Sequence, residues 1–423
     1  MYKKFFIGKE QNLTGRTFMW TVLSGIVYSL QSLVFLIVIT NFLGDVAGGV
    51  YSVGMMVAQQ MLTVGKFAVR NYQVSDVRNQ YGFNEYFGHR VLTCALAIFI
   101  TVGWIIFGGY RGEYAIVIIS LTIYKIAECF ADLFEGVYQQ KFRFDISGRS
   151  QFVKDFTMII AYAGMLIVTR NVVVSSVVLA VISVLLVVII DLPLTKYFTP
   201  LKISFKWKSM VGLTVACFSL FVSSFLNAYI HNAPKYAING MGEGSGIALT
   251  HFNALFMPTF AVDMLAGFTM RIWITKMAVF HDRGDRKGFK NILLKQVGVI
   301  SLITVVSMVV MYFFGGFALT LIYGIDLYGY NTTNALLMLA GGMVSFYTLF
   351  ENVIIIYRHQ QFSIVINIVS AVFAAIVVPI CTRQAGILGA TVGYLLTNGV
   401  RALGYFLTAL YYMIKEKKKS QKD

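Results

Sequence analysis

The chain has 423 residues, of which 57% are hydrophobic and only 13% are charged, and its mean hydropathy is +0.72. This composition is too apolar for a soluble domain, and the length allows about a dozen membrane spans of roughly 20 residues each. The net charge of +16 could indicate nucleic-acid binding. However, no folded basic module lies outside the apolar runs, so we expect no nucleic-acid partner.

Apolar runs of spanning length follow one another along the whole chain. Because lipid forces the backbone to satisfy its own hydrogen bonds, each run is expected to be a helix. The runs cover about residues 17–40, 43–65, 91–109, 115–138, 152–168, 172–192, 210–230, 247–270, 292–315, 333–356, 361–380 and 386–413. The sequence therefore predicts an all-α polytopic membrane protein with twelve transmembrane helices.

The basic residues are unevenly distributed between the two faces of this predicted topology. Most of the 35 Lys and Arg residues lie in the N-terminus, the even-numbered connections and the C-terminus. The opposite face holds Arg111, Arg170, Lys235 and Arg383. This asymmetry predicts that both termini are cytoplasmic, and that the basic face attracts anionic membrane lipids.

A cytoplasmic connection that begins at Pro193 divides the chain into two halves. We predict an N-terminal six-helix lobe over 1–192, an inter-lobe linker over 193–209, and a C-terminal six-helix lobe with a basic tail over 210–423. A polar, glycine-containing turn follows the first span of each half. This weak similarity between the two halves favours two pseudo-symmetric lobes, an organisation that is common in transporters.

Four ionisable residues, Lys125, Glu128, Asp132 and Glu135, share one stripe of the fourth span, within about 80° on the helix wheel. Ionisable groups at membrane depth usually face a bundle interior or a watery cavity. One interpretation is a structural ladder in which Lys125 and Glu128 pair at i,i+3. The other is the wall of a hydrophilic path, whose carboxylates exchange a proton or bind Na⁺. We favour the second, because four charges exceed what a structural pair needs.

The second half has its own ionisable residues within spans, Asp263, Glu351 and Arg401. Asp263 and Arg401 are predicted to lie at similar depth, so they could form a structural pair. Alternatively, Arg401 and Lys125 place one cation in each lobe, which suits an anionic substrate because Arg binds phosphate in a bidentate manner. On this interpretation Asp263 and Glu351 join the ion-coupling carboxylates.

Further candidate substrate-binding residues are Arg271, at the cytoplasmic end of the eighth span, and the amides Gln31 and Gln59. The amides could contact sugar hydroxyls, although such groups more often bond helix to helix. Histidines show no metal-binding spacing, and there is no Walker-type motif for ATP. We therefore expect no metal and no cofactor, and we expect energy to come from an H⁺ or Na⁺ gradient.

Four segments resemble blocks found in the Wzx-like bacterial polysaccharide flippases, a branch of the multidrug/oligosaccharidyl-lipid/polysaccharide exporter superfamily. They are KFAVRNYQVSD at 66–76, Asp132 with Gly136, Gln139–Gln140 and RFDISGRS at 143–150, NAPKYAI at 232–238, and FMP at 256–258. Their order along the chain and their positions relative to the spans both agree with that branch.

The resemblance implies two six-helix lobes that close alternately around a central cationic cavity. The implied substrate is an undecaprenyl-diphosphate-linked oligosaccharide for O-antigen, capsule or teichoic-type polymers, turned to the outer leaflet of the bacterial cytoplasmic membrane. A polysaccharide polymerase and chain-length machinery are implied as partners. Candidate gate or lobe-contact residues are Arg70, Tyr72, Gln73, Asp76, Pro234, Lys235 and Tyr236, the alternative role being a brace that fixes helix ends.

Two other functions remain open. An ion-coupled cation or drug antiporter of the same fold would use Asp132, Glu128 and Asp263 to bind cations, so the sign of the cavity's charge discriminates. A membrane-embedded glycan polymerase or ligase would need a sizeable outer loop for donor and acceptor. No predicted extracytoplasmic connection exceeds about 20 residues, so we expect a transporter rather than an enzyme.

Overall fold

The computed structural model describes residues 6–7, 13–76, 80–242, 244–359 and 361–419. Side chains are described throughout these ranges except at 13–14, 271–272 and 416–419. Within the described part, the regular structure is entirely helical.

The helices of the first half begin with a 54-residue helix that is broken at Gly44. They are α1 (Leu13–Lys66), α2 (Val69–Ser75), α3 (Phe83–Phe107), α4 (Glu113–Gln140), α5 (Phe144–Thr169), α6 (Val172–Leu186), a π-helical turn (Val187–Asp191) and α7 (Leu192–Phe198). The later helices are α8 (Trp207–Asn239), α9 (Ser245–Phe256), α10 (Thr259–Asp282), α11 (Arg286–Tyr323), α12 (Asn331–Ile356) and α13 (Phe362–Lys419).

Ten helical runs within the described residues are long and apolar enough to cross a membrane. The predicted fold class, an all-α multi-pass membrane protein, is therefore confirmed. Two runs exceed twice the length of one span: α1, and the 58-residue α13, which is broken at Ala385 and Gly386. Both breaks lie where the sequence predicted one span to end and the next to begin. The total of twelve spans and the cytoplasmic location of both termini stay predictions.

Several predicted span limits are too short. The third span was predicted at 91–109 and the fifth at 152–168, whereas α3 begins at Phe83 and α5 at Phe144. The reason is that the polar residues at these helix ends are themselves buried: Arg90 and Asp145 are both 0% exposed. Hydropathy treats such residues as loop, although their partners keep them inside the helix bundle.

Proline affects two of the later helices differently. The predicted eighth span, 247–270, is divided into α9 and α10 at Met257–Pro258, as expected for a residue that lacks a backbone donor. In contrast, Pro234 lies inside α8, which continues to Asn239 rather than ending near residue 230 as predicted.

The helices divide into two compact units, Met1–Ala228 and Tyr229–Asp423. The predicted lobes, 1–192 and 210–423, stay a prediction. In the first unit, Leu213 and Cys217 of α8 pack in one buried cluster with Phe67, Val69 and Tyr86. In the second unit, one cluster joins α10, α11, α12 and α13 through buried side chains that include Met270, Phe289, Val353 and Tyr405.

Candidate functional site

A cavity of about 340 Å³ lies within the first unit, among α1, α4, α5 and α6. Hydroxyl and apolar side chains such as Ser147, Ser183 and Met158 form part of its lining. The ionisable side chains that line it are Lys66, Arg70, Lys154, Glu128, Asp132, Glu135 and Asp155. Three residues of the predicted α4 stripe therefore face a cavity, as the hydrophilic-path interpretation predicts.

Glu128 accepts charge-assisted bonds from two lysines of different helices. Lys125 Nζ lies 2.7 Å from one carboxylate oxygen, so the predicted i,i+3 pair is confirmed, and Lys66 Nζ lies 2.9 Å from the other. The Tyr28 hydroxyl also donates to Glu128, at 3.1 Å. Lys125 is only 3% exposed, and its ammonium lies 4.6 Å from the centre of the Tyr124 ring. Of the two lysines that bind Glu128, Lys66 therefore lines the cavity. Lys125 does not, whereas its neighbours Tyr124 and Glu128 do.

Two arginines pair with the other two carboxylates of the stripe, Asp132 and Glu135. Arg70 Nη1 lies 3.3 Å from Asp132 and 3.0 Å from Glu135. Arg90, which is fully buried, donates to Asp132 at 3.1 Å and to the Gly65 carbonyl at 2.8 Å. Cations from α1, α2 and α3 thus neutralise a stripe that is net acidic when α4 is considered alone.

The opposite wall of the cavity carries Lys154 and Asp155 of α5. Lys154 Nζ lies 2.6 Å from Asp191, which also accepts a bond from the Ser150 hydroxyl at 2.5 Å. Asp191 closes the π-helical turn, and π-turns often occur at functional positions. Asp155 is 5% exposed, and its Oδ2 atom has no hydrogen-bond partner among the described residues.

The predicted gate residues of the first block have different surroundings. Arg70 belongs to the cavity, as described above. Gln73 is fully buried, and its side-chain amide lies where a Cβ on Gly136 would be, so the two motifs pack directly against each other. Tyr72 donates to Gln80 at 3.0 Å.

Asp76 is the residue of this block that matches the bracing role. Its carboxylate accepts bonds from the Gln80 and Tyr81 backbone N–H groups, at 2.9 and 3.1 Å, and from the Tyr86 hydroxyl at 2.8 Å. Burial alone would raise the pKa of Asp76, but these hydrogen bonds outweigh it and hold the pKa below its usual value. The carboxylate thereby fixes the entry to α3.

The block at 143–150 anchors the beginning of the chain. Asp145 is buried between Arg143, at 2.9 Å, and Arg16, at 3.0 Å. Arg143 also donates to the backbone carbonyl of Ile7. Gly148 packs so closely on the backbone of Trp20 that a Cβ would lie 2.8 Å from it. This block therefore brings α5 close to the first turns of α1.

The predicted substrate-binding residues are divided between the two units. Gln31 is 2% exposed and accepts a bond from the Tyr124 hydroxyl at 2.9 Å, which is helix-to-helix bonding, while Gln59 is half-buried in α1. In the second unit, the Arg401 guanidinium stacks 3.8 Å from the centre of the Tyr347 ring. The side chain of Arg271 lies outside the described residues. The substrate-binding roles stay predictions.

The remaining predicted residues of the second unit contact mainly aromatic and hydroxyl groups. Tyr405 donates to Glu351 at 3.0 Å, and Asp263 lies in α10. The Asp263–Arg401 pair stays a prediction. Of the second motif block, Pro234 lies inside α8, the Lys235 ammonium lies 5.2 Å from the centre of the Phe256 ring, and the Tyr236 ring stacks on that of Tyr229.

Sequence reasoning missed five members of the charged network of the first unit. They are Lys66, Arg90, Lys154, Asp155 and Asp191. All lie at or near the predicted end of a span, where a charged residue is ordinarily assigned to the flanking loop. The number of such residues in one lobe is the sequence feature that could have indicated a charged network.

Comparison with known proteins gives structural matches only. No family model matches the sequence, and no curated protein matches it. Among solved structures, the chain is similar to the inward-facing conformation of a multidrug resistance MATE family transporter of the MOP superfamily. The TM-score is 0.67 at 14% identity, over 93% of this chain and 96% of that one.

Two further structures support the same fold. The outward-facing conformation of a MATE family transporter matches with a TM-score of 0.55 at 14% identity, over 95% of this chain and 96% of that one. A MOP superfamily transporter from Pyrococcus furiosus Vc1 matches with a TM-score of 0.55 at 13% identity, over 98% of both chains. That protein is described as having a binding pocket of reverse polarity that suggests a different function.

The helices, the charged cavity within them and these neighbours together define a multi-pass membrane protein with the fold of a transporter. More particularly, the fold is that of the MATE transporters of the MOP superfamily.

Proposed function

We propose that this protein is a flippase that moves an undecaprenyl-diphosphate-linked oligosaccharide from the cytoplasmic to the outer leaflet of a bacterial cytoplasmic membrane. A diphosphate and a hydrated glycan cannot cross hydrocarbon unaided, whereas the prenyl tail can stay in lipid. The protein then needs to supply only a polar route for the head group. A polysaccharide polymerase and chain-length machinery would act on the product.

The observation that carries this proposal is the set of cations facing the cavity of about 340 Å³, namely Lys66, Arg70 and Lys154. Arginine and lysine are the side chains best suited to phosphate, the former through paired N–H donors. The volume is at the lower end of the range for small-molecule pockets. It therefore suits a head group better than a whole glycan.

The positions of the two first-unit motif blocks support the same substrate. Lys66 and Arg70 of the block at 66–76 line the cavity, and so do Phe144, Ser147 and Gly148 of the block at 143–150. Two of the four segments that carry the resemblance to polysaccharide flippases therefore contribute to the lining of the charged cavity.

A second candidate function, ion-coupled export of cations, is favoured by Asp155. A buried carboxylate without an ion pair among the described residues is a natural site for a proton, Na⁺ or a cationic substrate. The sign of the cavity does not separate the two functions, because the cavity is lined by both cations and carboxylates. Transport measurements with both substrate classes are needed.

The test uses the purified protein in proteoliposomes containing an undecaprenyl-diphosphate-linked oligosaccharide, with glycan exposure followed by an added lectin. We expect wild-type protein to expose the glycan, and Arg70→Gln or Lys154→Met to slow exposure at least tenfold. Lys206→Met removes a lysine whose side chain is 75% exposed, and serves as the matched control. Wild-type rates in both cavity variants would overturn the proposal, and so would transport of ethidium without transport of the lipid.

Coupling to an ion gradient is proposed for the α4 carboxylates and is tested in the same vesicles. An imposed H⁺ or Na⁺ gradient should accelerate glycan exposure by the wild-type protein. Asp132→Asn should remove that acceleration, because it removes one of the titratable groups that line the cavity. An unchanged gradient response in this variant would exclude Asp132 from coupling.

A further inference from the structure

The three α4 carboxylates that line the cavity differ in the number of cations that hold them. Glu128 is held by Lys66 and Lys125, and Asp132 by Arg70 and Arg90. Within the described part of the chain, Glu135 has a single cation at ion-pair distance, Arg70, at 3.0 Å.

The cations also differ in their access to the cavity. Arg70 lines it with a side chain that is 28% exposed, whereas the side chains of Arg90 and Lys125 are 0% and 3% exposed. An anion that enters the cavity can therefore reach Arg70 but not the two buried cations. Asp132 would keep Arg90 as its partner, while Glu135 would lose its ion pair.

The other charged groups around Glu135 are already engaged. Lys154 of α5 acts on it electrostatically but is bound to Asp191 of the π-turn at 2.6 Å. Lys66 of α1 and Arg90 of α3 are bound to Glu128 and Asp132. The remaining charged side chains around this region are carboxylates: Asp132 and Asp155 line the cavity, and Asp191 is bound to Lys154.

We propose that Arg70 and Glu135 form an exchange pair: phosphate oxygens of an entering head group take Arg70 from Glu135, and Glu135 then takes up one proton from water. The Glu135 side chain is 11% exposed, and a buried carboxylate without a cation is costly, so protonation relieves that cost. One O–H bond forms on a Glu135 carboxylate oxygen as one O–H bond of a hydronium ion or buffer acid breaks, so the step consumes one solvent proton and changes no oxidation state. The inference deepens the proposed function and rests on it for the identity of the anion.

The test measures protons taken up when farnesyl diphosphate binds the full chain in lipid nanodiscs. Isothermal titration calorimetry at pH 7 in two buffers of different ionisation enthalpy gives this number for each variant. We expect Glu135→Gln to bind the probe with wild-type or higher affinity, and to take up as much as one proton fewer than wild type. Protonation of the probe itself cancels in this difference.

Matched variants separate this pair from other groups. Glu113→Gln, at an exposed position at the start of α4, should keep wild-type proton uptake. Glu135→Asp should retain most of the uptake, whereas Arg70→Gln should lose binding at least tenfold. Because binding takes up as much as one proton, the wild-type Kd should rise by up to tenfold per pH unit above neutrality. The Kd of Glu135→Gln should lack this part of the pH dependence.

Three outcomes would overturn the inference. They are equal proton uptake by wild type and Glu135→Gln, loss of the uptake in Glu113→Gln, and absence of farnesyl diphosphate binding to the wild type. The glycan-exposure assay decides the proposed function separately, because a flippase without this exchange would still expose glycan.

Discussion

Replacement of Glu128 by Gln tests whether the paired charges stabilise the fold. The substitution keeps the shape of the side chain but removes the charge that holds Lys125 at 2.7 Å and Lys66 at 2.9 Å. Removing one partner of a buried pair typically costs about 3–5 kcal/mol. Lys66, at 30% side-chain exposure, keeps contact with the cavity, so most of the cost arises from Lys125, at 3%.

The expected loss is large enough to measure by thermal unfolding in nanodiscs. The first unit spans Met1–Ala228, and 1 kcal/mol shifts the Tm of a domain of roughly 150–250 residues by about 2–4 °C. We therefore expect Glu128→Gln to lower the Tm by on the order of 10 °C. Glu113→Gln, at an exposed position at the start of the same helix, should leave the Tm unchanged.

A double variant identifies the cause of that loss. Glu128→Gln leaves Lys125 as a buried cation without its carboxylate partner. Adding Lys125→Met removes that cation, so more than half of the Tm loss should be recovered. If Glu128→Gln unfolds at the wild-type temperature, or if the double variant is no more stable than the single one, the buried pair does not stabilise this unit.

Three more predictions concern packing, pH and the unpaired carboxylate. Gly136→Ala should cost about 1–3 kcal/mol, since its Cβ would lie 2.5 Å from Oε1 of the buried Gln73, whereas Gly164→Ala meets nothing within 4 Å and should be neutral; thermal unfolding of both variants checks this. Because the pKa of Asp76 is lowered in the folded protein, its stabilisation should be complete above the unfolded value and lost as the pH falls through the lower folded value. Protease susceptibility of wild type and Asp76→Asn should therefore differ at pH 7 and begin to converge only as the pH falls below about 4. Asp155→Asn should unfold at or above the wild-type temperature, because it removes an unpaired buried charge; a clear fall in Tm would indicate a structural role.

The all-helical character of the spans followed from hydropathy, because a helix satisfies its own backbone hydrogen bonds within lipid. Their exact limits did not follow. Gly44 has φ 79° and interrupts α1 without introducing a loop, so the two predicted spans form one broken helix. A glycine that permits a break is not distinguishable by composition from one that begins a loop.

The charged site was predictable within one helix and not between helices. Helical periodicity placed Glu128, Asp132 and Glu135 on one stripe, and they do face a cavity. Their cation partners come from up to 65 residues away in the sequence, as for Arg70 and Glu135. Such pairs are set by the packing of helices, which no local pattern encodes. The same holds for Lys154 and Asp191, which are 37 residues apart.

The cavity in the first unit is expected to be open to water and to admit an anionic head group. Gln151 lines this cavity and is half-buried, so a cysteine placed there reports on both water and ligand. We predict that Gln151→Cys reacts with a membrane-impermeant thiol reagent applied to the open face, and that Ile160→Cys, at a 57% exposed apolar position of the same helix, does not.

Farnesyl diphosphate should slow labelling of Gln151→Cys at least fivefold, and adding Arg70→Gln should abolish that protection. The wild-type cysteines, of which Cys94, Cys129 and Cys217 are buried, give the background. An unreactive cysteine at 151, or labelling that the diphosphate does not slow, would contradict the claim.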